Sequence, residues 1–393
     1  MAEHSVVFSF FLIFSGAAIL ASIALYTRQP LLVAYVVLGA ALGPWGIGAV
    51  SDTNLLADIA HVGIIFLLFL LGLDMQPAHL LHMLRKATLV AIASSVAFMG
   101  IGYGAGIVFG FSQIESLVMG AALMFSSTII GIKLLPTTVL HHRHTGELVV
   151  GLLLLQDVVA ILVLLLLNSG GESSSTDISA GMNFARSMLA LPLLALFAWG
   201  FVRWVLLPLL QRFDRFHEYI FLAAIGWCLG LAEGAVYVGL SAEMGAFIAG
   251  VALATSPISQ YIATSLKPLR DFFLILFFFS VGASFNLTLI DDILLPALAL
   301  TAAVLALKPV IFRYLLQGIS ESADTGWEIG FRLGQISEFS LLIAYLAFAS
   351  GLIGTEASHV IQATAILSFL LSTYVVIFRY PSPIAVSDKL RRD

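Results

Sequence analysis

The chain has 393 residues, 60% hydrophobic and 10% charged, with a formal net charge of −5; soluble domains carry about a quarter charged residues. At a mean hydropathy of +1.04 no water-soluble core could hide so much apolar surface, and the solvent is a bilayer. The single cysteine, Cys228, excludes an internal disulfide framework and disfavours a thiolate metal site.

A crossing helix needs about 20 apolar residues. On that ruler about thirteen segments read as spans: 6–25, 31–48, 57–73, 88–110, 115–136, 147–167, 186–210, 217–232, 236–254, 270–286, 292–316, 326–350 and 357–379. The first follows Glu3 and His4 rather than a basic region, so it reads as a span and not as a cleaved leader. In the fourth, GIGYGAGIVFG resembles a nucleotide loop, but Gly102, Gly106 and Gly110 recur every fourth residue of an apolar helix, the spacing of close helix packing. The fifth gathers Ser126, Ser127 and Thr128 at mid-depth. HHRH at 141–144 reads as a solvated basic loop, with imidazole pH sensing as the weaker alternative.

The sixth span, GLLLLQDVVAILVLLLL, holds Asp157 beside Gln156 in an otherwise apolar run. A charge at the bilayer centre costs at least about 3 kcal/mol, so such an acid is a functional candidate by default. Removal from water penalises its ionised form, and a proton and a metal cation can then compete to neutralise it. Arg203 in the seventh span can snorkel to an interface. Glu243, near the outer end of the ninth, reads equally as an entrance charge or an interfacial residue. Lys308, followed by Pro309, lies well inside the eleventh. The twelfth carries Arg332 and then Gly334, Gln335, Ser337, Glu338 and Ser340 at mid-depth. Arg332 and Glu338 are six apart, not on one helix face, so they are not expected to pair. Glu338 is the better functional candidate, and Arg332 reads as readily as a structural counter-charge.

Alternate connections differ strongly in basic residues. One side collects Arg28, Arg85, Lys86, Lys133, Arg143, Arg212, Arg215, Lys267, Arg270, Arg313, Arg379, Lys389, Arg391 and Arg392, the other only Arg186. The positive-inside rule puts the amino terminus outside and the carboxyl terminus in the cytoplasm of an inner or plasma membrane. The halves also resemble each other at an offset of about 210 residues: LGAALGP with AGVALAT, FLLFLLGLDM with LFFFSVGASF, SST with SEF. These align Gly39 with Gly250 and Gly72 with Gly282. An odd number of spans separates each pair, so the repeats, about 6–167 and 217–379 around a linker helix at 186–210, run in opposite directions. Inverted repeats with interrupted helices near the midplane mark transporters. Hydroxyls and glycine at the two repeat-related positions, Ser126–Thr128 and Gly334–Ser337, allow an unwound backbone facing a cavity or protein; the alternative is hydroxyls bonded back within unbroken helices.

The motifs RQPLLVAYVVLGAALGP, VGIIFLLFLLGLDMQP, FSSTIIGIKLLP, GELVVGLLLLQDVVAI, GAFIAGVALA, LKPLRDFFLILFFFSVGASF and GQISEFSLLIA each resemble segments of Kef-type antiporters, in the second monovalent cation:proton antiporter family. The resemblance covers essentially the whole chain. It implies an all-α membrane protein of the NhaA/NapA-like fold, a single transmembrane domain with a dimer-forming panel and a mobile core of spans four to six and eleven to thirteen. Unwound fifth and twelfth helices would cross beside the acid of the sixth.

It further implies that Asp157 binds cation and proton in turn, with Gln156, Ser127 and Thr128 as oxygen neighbours. A Gln–Asp pair, rather than two acids, favours electroneutral exchange and K+, with Na+ open. Lys308 would neutralise the carbonyl ends at the crossing or pair with Asp157 when no cation is bound; otherwise it snorkels. Kef proteins usually continue into a cytoplasmic nucleotide- and glutathione-binding domain, which is not expected within 1–393, so glutathione gating does not carry over. A regulatory domain or subunit beyond this chain stays open. The expected partners are membrane lipid, a monovalent cation, H+ and a second copy of the chain. No cofactor, nucleic acid or enzymatic activity is expected. A channel of the same fold, or a transport-inactive ion sensor or subunit, is the alternative.

Overall fold

The computed structural model describes residues 6–50, 53–74, 77–135, 144–170, 190–213, 215–256 and 258–382. Residues 141–143 of the HHRH stretch, Arg186, most of SGGESSSTD and the basic residues near the carboxyl terminus lie outside these. Every regular element among the described residues is a helix. In chain order they are α1 (Val6–Tyr26), α2 (Leu31–Leu42), α3 (Thr53–Asp74), α4 (Pro77–Val108), α5 (Gln113–Leu123), α6 (Thr128–Lys133) and α7 (His144–Gly170). Then come α8 (Ala190–Arg212), α9 (His217–Tyr237), α10 (Ala242–Ala254), α11 (Ser259–Ala283), α12 (Ile290–Gly318), α13 (Ala323–Arg332), α14 (Glu338–Ala349) and α15 (Thr355–Arg379).

Each expected span falls on one helix or on an interrupted pair, α5–α6 and α13–α14. Several boundaries differ from expectation: the fourth span begins at Pro77 rather than 88 and the ninth at Ala242 rather than 236. The second span stops at Leu42 and continues as turns. The tenth begins at Ser259, so Lys267 and Arg270 lie inside α11, and Arg270 pairs with Asp271 at 2.9 Å; a helix can continue past the hydrocarbon, where charges are solvated. Arg203 sits exposed on a π turn, Val202–Leu206, just before Pro208, whose missing N–H cannot extend a regular α ladder.

Two compact units are present: Met1–Val50, Leu81–Leu164 and Val281–Asp393 form one, Ser51–Leu80 and Leu165–Ser280 the other. In the second, α3 crosses α10 glycine on glycine. A Cβ on Gly250 would stand 2.1 Å from the Phe69 carbonyl, and one on Gly72 2.5 Å from the Phe247 carbonyl. There too Trp227 stacks on Phe201 at 5.1 Å, donates to the Ala249 carbonyl at 3.1 Å, and His61 meets the buried Glu243 at 3.0 Å. Glu243 is therefore a paired residue inside its unit rather than an open interfacial charge. In the first unit a Cβ on Gly282 would lie 2.0 Å from the Val36 carbonyl of α2. Since Gly39 aligns with Gly250 and Gly72 with Gly282, the α2·α11 contact is the repeat counterpart of α10·α3.

The interrupted helices obey the same relation. Ser112 caps α5 and Ser322 caps α13, each accepting from a backbone N–H three residues on, at positions 210 apart. Ser116 and Gly120 of α5 pack on α4: a Cβ on Gly120 would lie 2.6 Å from the Met99 carbonyl, and one on Gly106 2.6 Å from Ser116 Oγ. The counterparts Gly326 and Gly330 of α13 pack on α12, 2.9 Å from Arg313 Cα and 2.6 Å from Pro309 Cα by the same measure. Small residues four apart let backbones approach closely. Gly102 and Gly106 thus serve the packing role expected of them. Gly110 does not: its φ of +85° places it in the left-handed turn after α4, open to glycine without a Cβ penalty.

The fold is therefore an all-α architecture of two inverted repeats with crossed, discontinuous helices. Gly250→Ala and Gly282→Ala are each expected to destabilise the protein by about 1–3 kcal/mol through overpacking, measured by thermal unfolding in detergent. Gly226, where a Cβ would meet nothing within 4 Å, is the control: its change to Ala is expected to be neutral or slightly stabilising.

Candidate functional site

The breaks define the site. α5 ends at Leu123 and α6 begins at Thr128; α13 ends at Arg332 and α14 begins at Glu338. Breaking a helix in a low-dielectric setting frees backbone groups that must find partners, and here side chains supply them. The Ser126 N–H is taken by Gln156 Oε1 at 3.0 Å, and the repeat-related Ile336 N–H by Ser368 Oγ at 3.2 Å. Ser126 Oγ crosses to the Leu333 carbonyl at 2.8 Å, so the hydroxyl ties one break to the other. Ser340 Oγ donates to the Ala122 carbonyl at 2.5 Å and accepts from the Ser337 N–H at 3.3 Å. Ser337 in turn caps α14.

Lys308 is 1% exposed. Its ammonium donates to the Phe125 carbonyl at 2.7 Å and to the Gln335 carbonyl at 3.1 Å, one from each break, and stands 4.8 Å above the Phe98 ring. Both carbonyls follow the C-terminal ends of half-helices, where the backbone dipoles leave partial negative charge. Packing of Gly330 on Pro309 brings the lysine there. Of the expected roles, the geometry has Lys308 on the crossing carbonyls; no ion pair joins it to Asp157 among the described residues.

Asp157, in the middle of α7, is wholly buried. Thr128 Oγ1, the first residue of α6, faces both its oxygens, at 3.3 Å (Oδ1) and 3.2 Å (Oδ2). Glu338 is buried at the start of α14, at the second break. Asp157, Gln156, Thr128, Ser126, Lys308, Gln335 and Glu338 are thus all placed at the two breaks. Ser127 is buried in the first break, where its hydroxyl accepts from the Ile130 N–H at 3.1 Å and caps α6. Gly334 lies in the second break, backed by the Pro309 ring. Arg332 points elsewhere and pairs with Glu328 at 2.8 Å.

Several participants escaped the sequence reading. Ser368 and Ser372, four apart in α15, hold the Ile336 N–H and the Gln335 side chain, the latter at 2.8 Å. A stripe of hydroxyls in an apolar span was the available signal. The Phe125 carbonyl and the Phe98 ring carried no signal, since a backbone oxygen and a phenylalanine are everywhere in such a chain.

The profile of the family described as "Sodium/hydrogen exchanger, transmembrane" matches residues 10–378. The chain belongs to that family. It is a family of membrane transporters, not enzymes, and the Kef-type resemblance falls within it. Among its relatives, the iron transporter MagA of Paramagnetospirillum magneticum is 30% identical over 356 residues, covering 88% of this chain and 79% of that protein. The K(+) efflux antiporter 5 of Arabidopsis thaliana is 30% identical over 363 residues, covering 90% of this chain, which spans only 61% of the plant protein's length. The solved sodium proton antiporter MjNhaP1 of Methanocaldococcus jannaschii has the same fold, with a TM-score of 0.69 over 92% of this chain and 94% of that one at 17% identity.

Proposed function

We propose that this chain is a secondary antiporter exchanging a monovalent cation for H+ by alternating access, with K+ as the first candidate and Na+ as the second. Asp157 is the shared site. The observation that carries this reading is a fully buried carboxylate, held by the Thr128 hydroxyl where two broken helices cross. A carboxylate there moves cheaply only when neutralised, by a proton in one direction and a cation in the other. One charge exchanged for one makes the cycle electroneutral. The Asp157 carboxylate and the Thr128 hydroxyl offer oxygen ligands at one position, with the Gln156 amide oxygen on the neighbouring break, and oxygen donors suit a hard alkali cation. The family's description as a sodium/hydrogen exchanger supports cation:proton exchange, and the plant relative's name together with the Gln156–Asp157 pair supports K+. The basic-residue asymmetry supports an outside amino terminus and a cytoplasmic carboxyl terminus in an inner or plasma membrane. Assembly as a homodimer completes the reading.

The test uses purified protein in sealed liposomes loaded with a pH dye, under an imposed proton gradient and clamped voltage. K+, Na+ and Fe2+ are added in turn, the last because of the name borne by the bacterial relative. Dissipation by K+ that does not change with the clamped voltage supports the reading. Dissipation by Fe2+ alone would reassign the substrate. Tracer K+ flux without proton movement would make the protein a channel.

A further inference from the structure

Arg332 is wholly buried yet touches neither acid of the site among the contacts described. Its Nε and Nη2 donate to Glu328 Oε1 at 3.0 and 2.8 Å, one helical turn back. Its Nη1 donates to the Leu134 carbonyl at 2.9 Å, and Nη2 also to the Pro381 carbonyl at 2.8 Å. The Tyr380 ring stands 5.7 Å from the guanidinium carbon. Three segments far apart in sequence thus meet on one planar group: the end of the α6 segment, the end of α13, and the chain just beyond α15. Only arginine offers five donors in a fixed fork able to serve acceptors in several directions; lysine keeps the charge on a point-like ammonium without that fork.

Both helices so held lead straight into the ion site. α6 is six residues long, about 9 Å, with Leu134 beyond one end and Thr128, the donor to Asp157, at the other. α13 runs from Arg332 into Leu333 and Gln335, whose carbonyls receive Ser126 and Lys308. So short and stiff a helix passes any shift at Leu134 on to Thr128. Past the breaks, α5 and α14 are joined instead by the Ser340 hydroxyl on the Ala122 carbonyl.

The geometry points to Arg332 as a positioning residue for the ion site, one that ties α6, α13 and the exit of α15 into a single body and so sets the distance from Thr128 to Asp157. This rests on the reading of Asp157 as the cation and proton site. It also makes the Tyr380–Pro381 segment the place where anything acting on the chain beyond α15 reaches the crossing.

The experiment compares wild type with Arg332→Lys and with Glu328→Gln, which keeps an acceptor but loses the charge. Cation KM and maximal rate are measured in liposomes, and amide hydrogen exchange over 124–127 and 333–337 is measured in purified protein. Arg332→Lys is expected to raise KM about tenfold with a smaller change in maximal rate, and to speed exchange at both breaks. Glu328→Gln is expected to shift both readouts in the same direction by less. If Arg332→Lys lowers only thermal stability, with KM and break protection as in wild type, the assignment is overturned. If that variant does not fold, Glu328→Gln decides, and wild-type values for both readouts overturn it. Should wild type move no protons with any cation, the ion-site reading fails; the hydrogen-exchange arm still shows whether Arg332 orders the breaks.

Discussion

Replacing Asp157 by Asn is expected to reduce cation-driven proton movement in liposomes to the protein-free baseline while leaving the protein folded. Asparagine nearly matches the shape of aspartate, and its carbonyl oxygen still accepts from Thr128. It cannot take up a proton or balance a cation in exchange, so neither half of the cycle is loaded. Because the wild-type side chain is wholly buried, the substitution also removes the desolvation penalty of a carboxylate. Thermal stability is therefore expected to equal or exceed that of wild type. That combination, dead but stable, separates a carboxylate kept for transport from one kept for structure. Proton-coupled exchange persisting well above baseline in Asp157→Asn would refute the shared-site mechanism.

Lys308→Met is expected to act in the opposite sense and to destabilise the protein by about 2–4 kcal/mol. Methionine fills a similar volume, so the effect is not a cavity. It comes from the Phe125 and Gln335 carbonyls, which lose their ammonium donor in a place closed to water. Each orphaned buried acceptor costs about 1–3 kcal/mol, and both follow helix C-termini, where the dipole adds to the charge left uncompensated. Relief from burying an ammonium offsets part of that sum, which sets the expected loss below the full total. The measurement is thermal unfolding of wild type and variant in the same detergent. An unchanged melting temperature would mean that other donors reach these carbonyls.

Much of the architecture was readable before any coordinates. Hydropathy over a window of about 20 residues decides what can cross a bilayer, and it located every helix, though not the early starts of α4 and α11 or the early end of α2. Serine, threonine and glycine clusters marked both breaks because a helix in lipid can open only where other groups replace its hydrogen bonds. One signal was readable and missed: Glu328 and Arg332 stand at i and i+4, the spacing at which helical side chains meet. The GxxxG spacing of Gly326 and Gly330 was missed as well, although the same spacing in α4 was recognised. Ser127 and Thr128 looked equivalent in sequence. In the structure Thr128 reaches Asp157 while Ser127 caps its own helix, and which hydroxyl does which depends on how the backbone leaves the break.

The sequence by itself determined the solvent, the spans, the inverted repeat and the lone acid of the sixth span. These follow from local hydropathy, from spacing, and from the free energy of an ionised group in hydrocarbon, all properties of segments taken one at a time. Only the tertiary structure decided the partners. Lys308 meets a carbonyl 183 positions away, Arg332 one 198 away and Ser126 one 207 away. Backbone oxygens are alike at every residue, so nothing in the sequence distinguishes the ones that will be freed by a break and left facing a buried cation. Close approach of glycine-bearing helices makes that choice, and it exists only once the helices are packed.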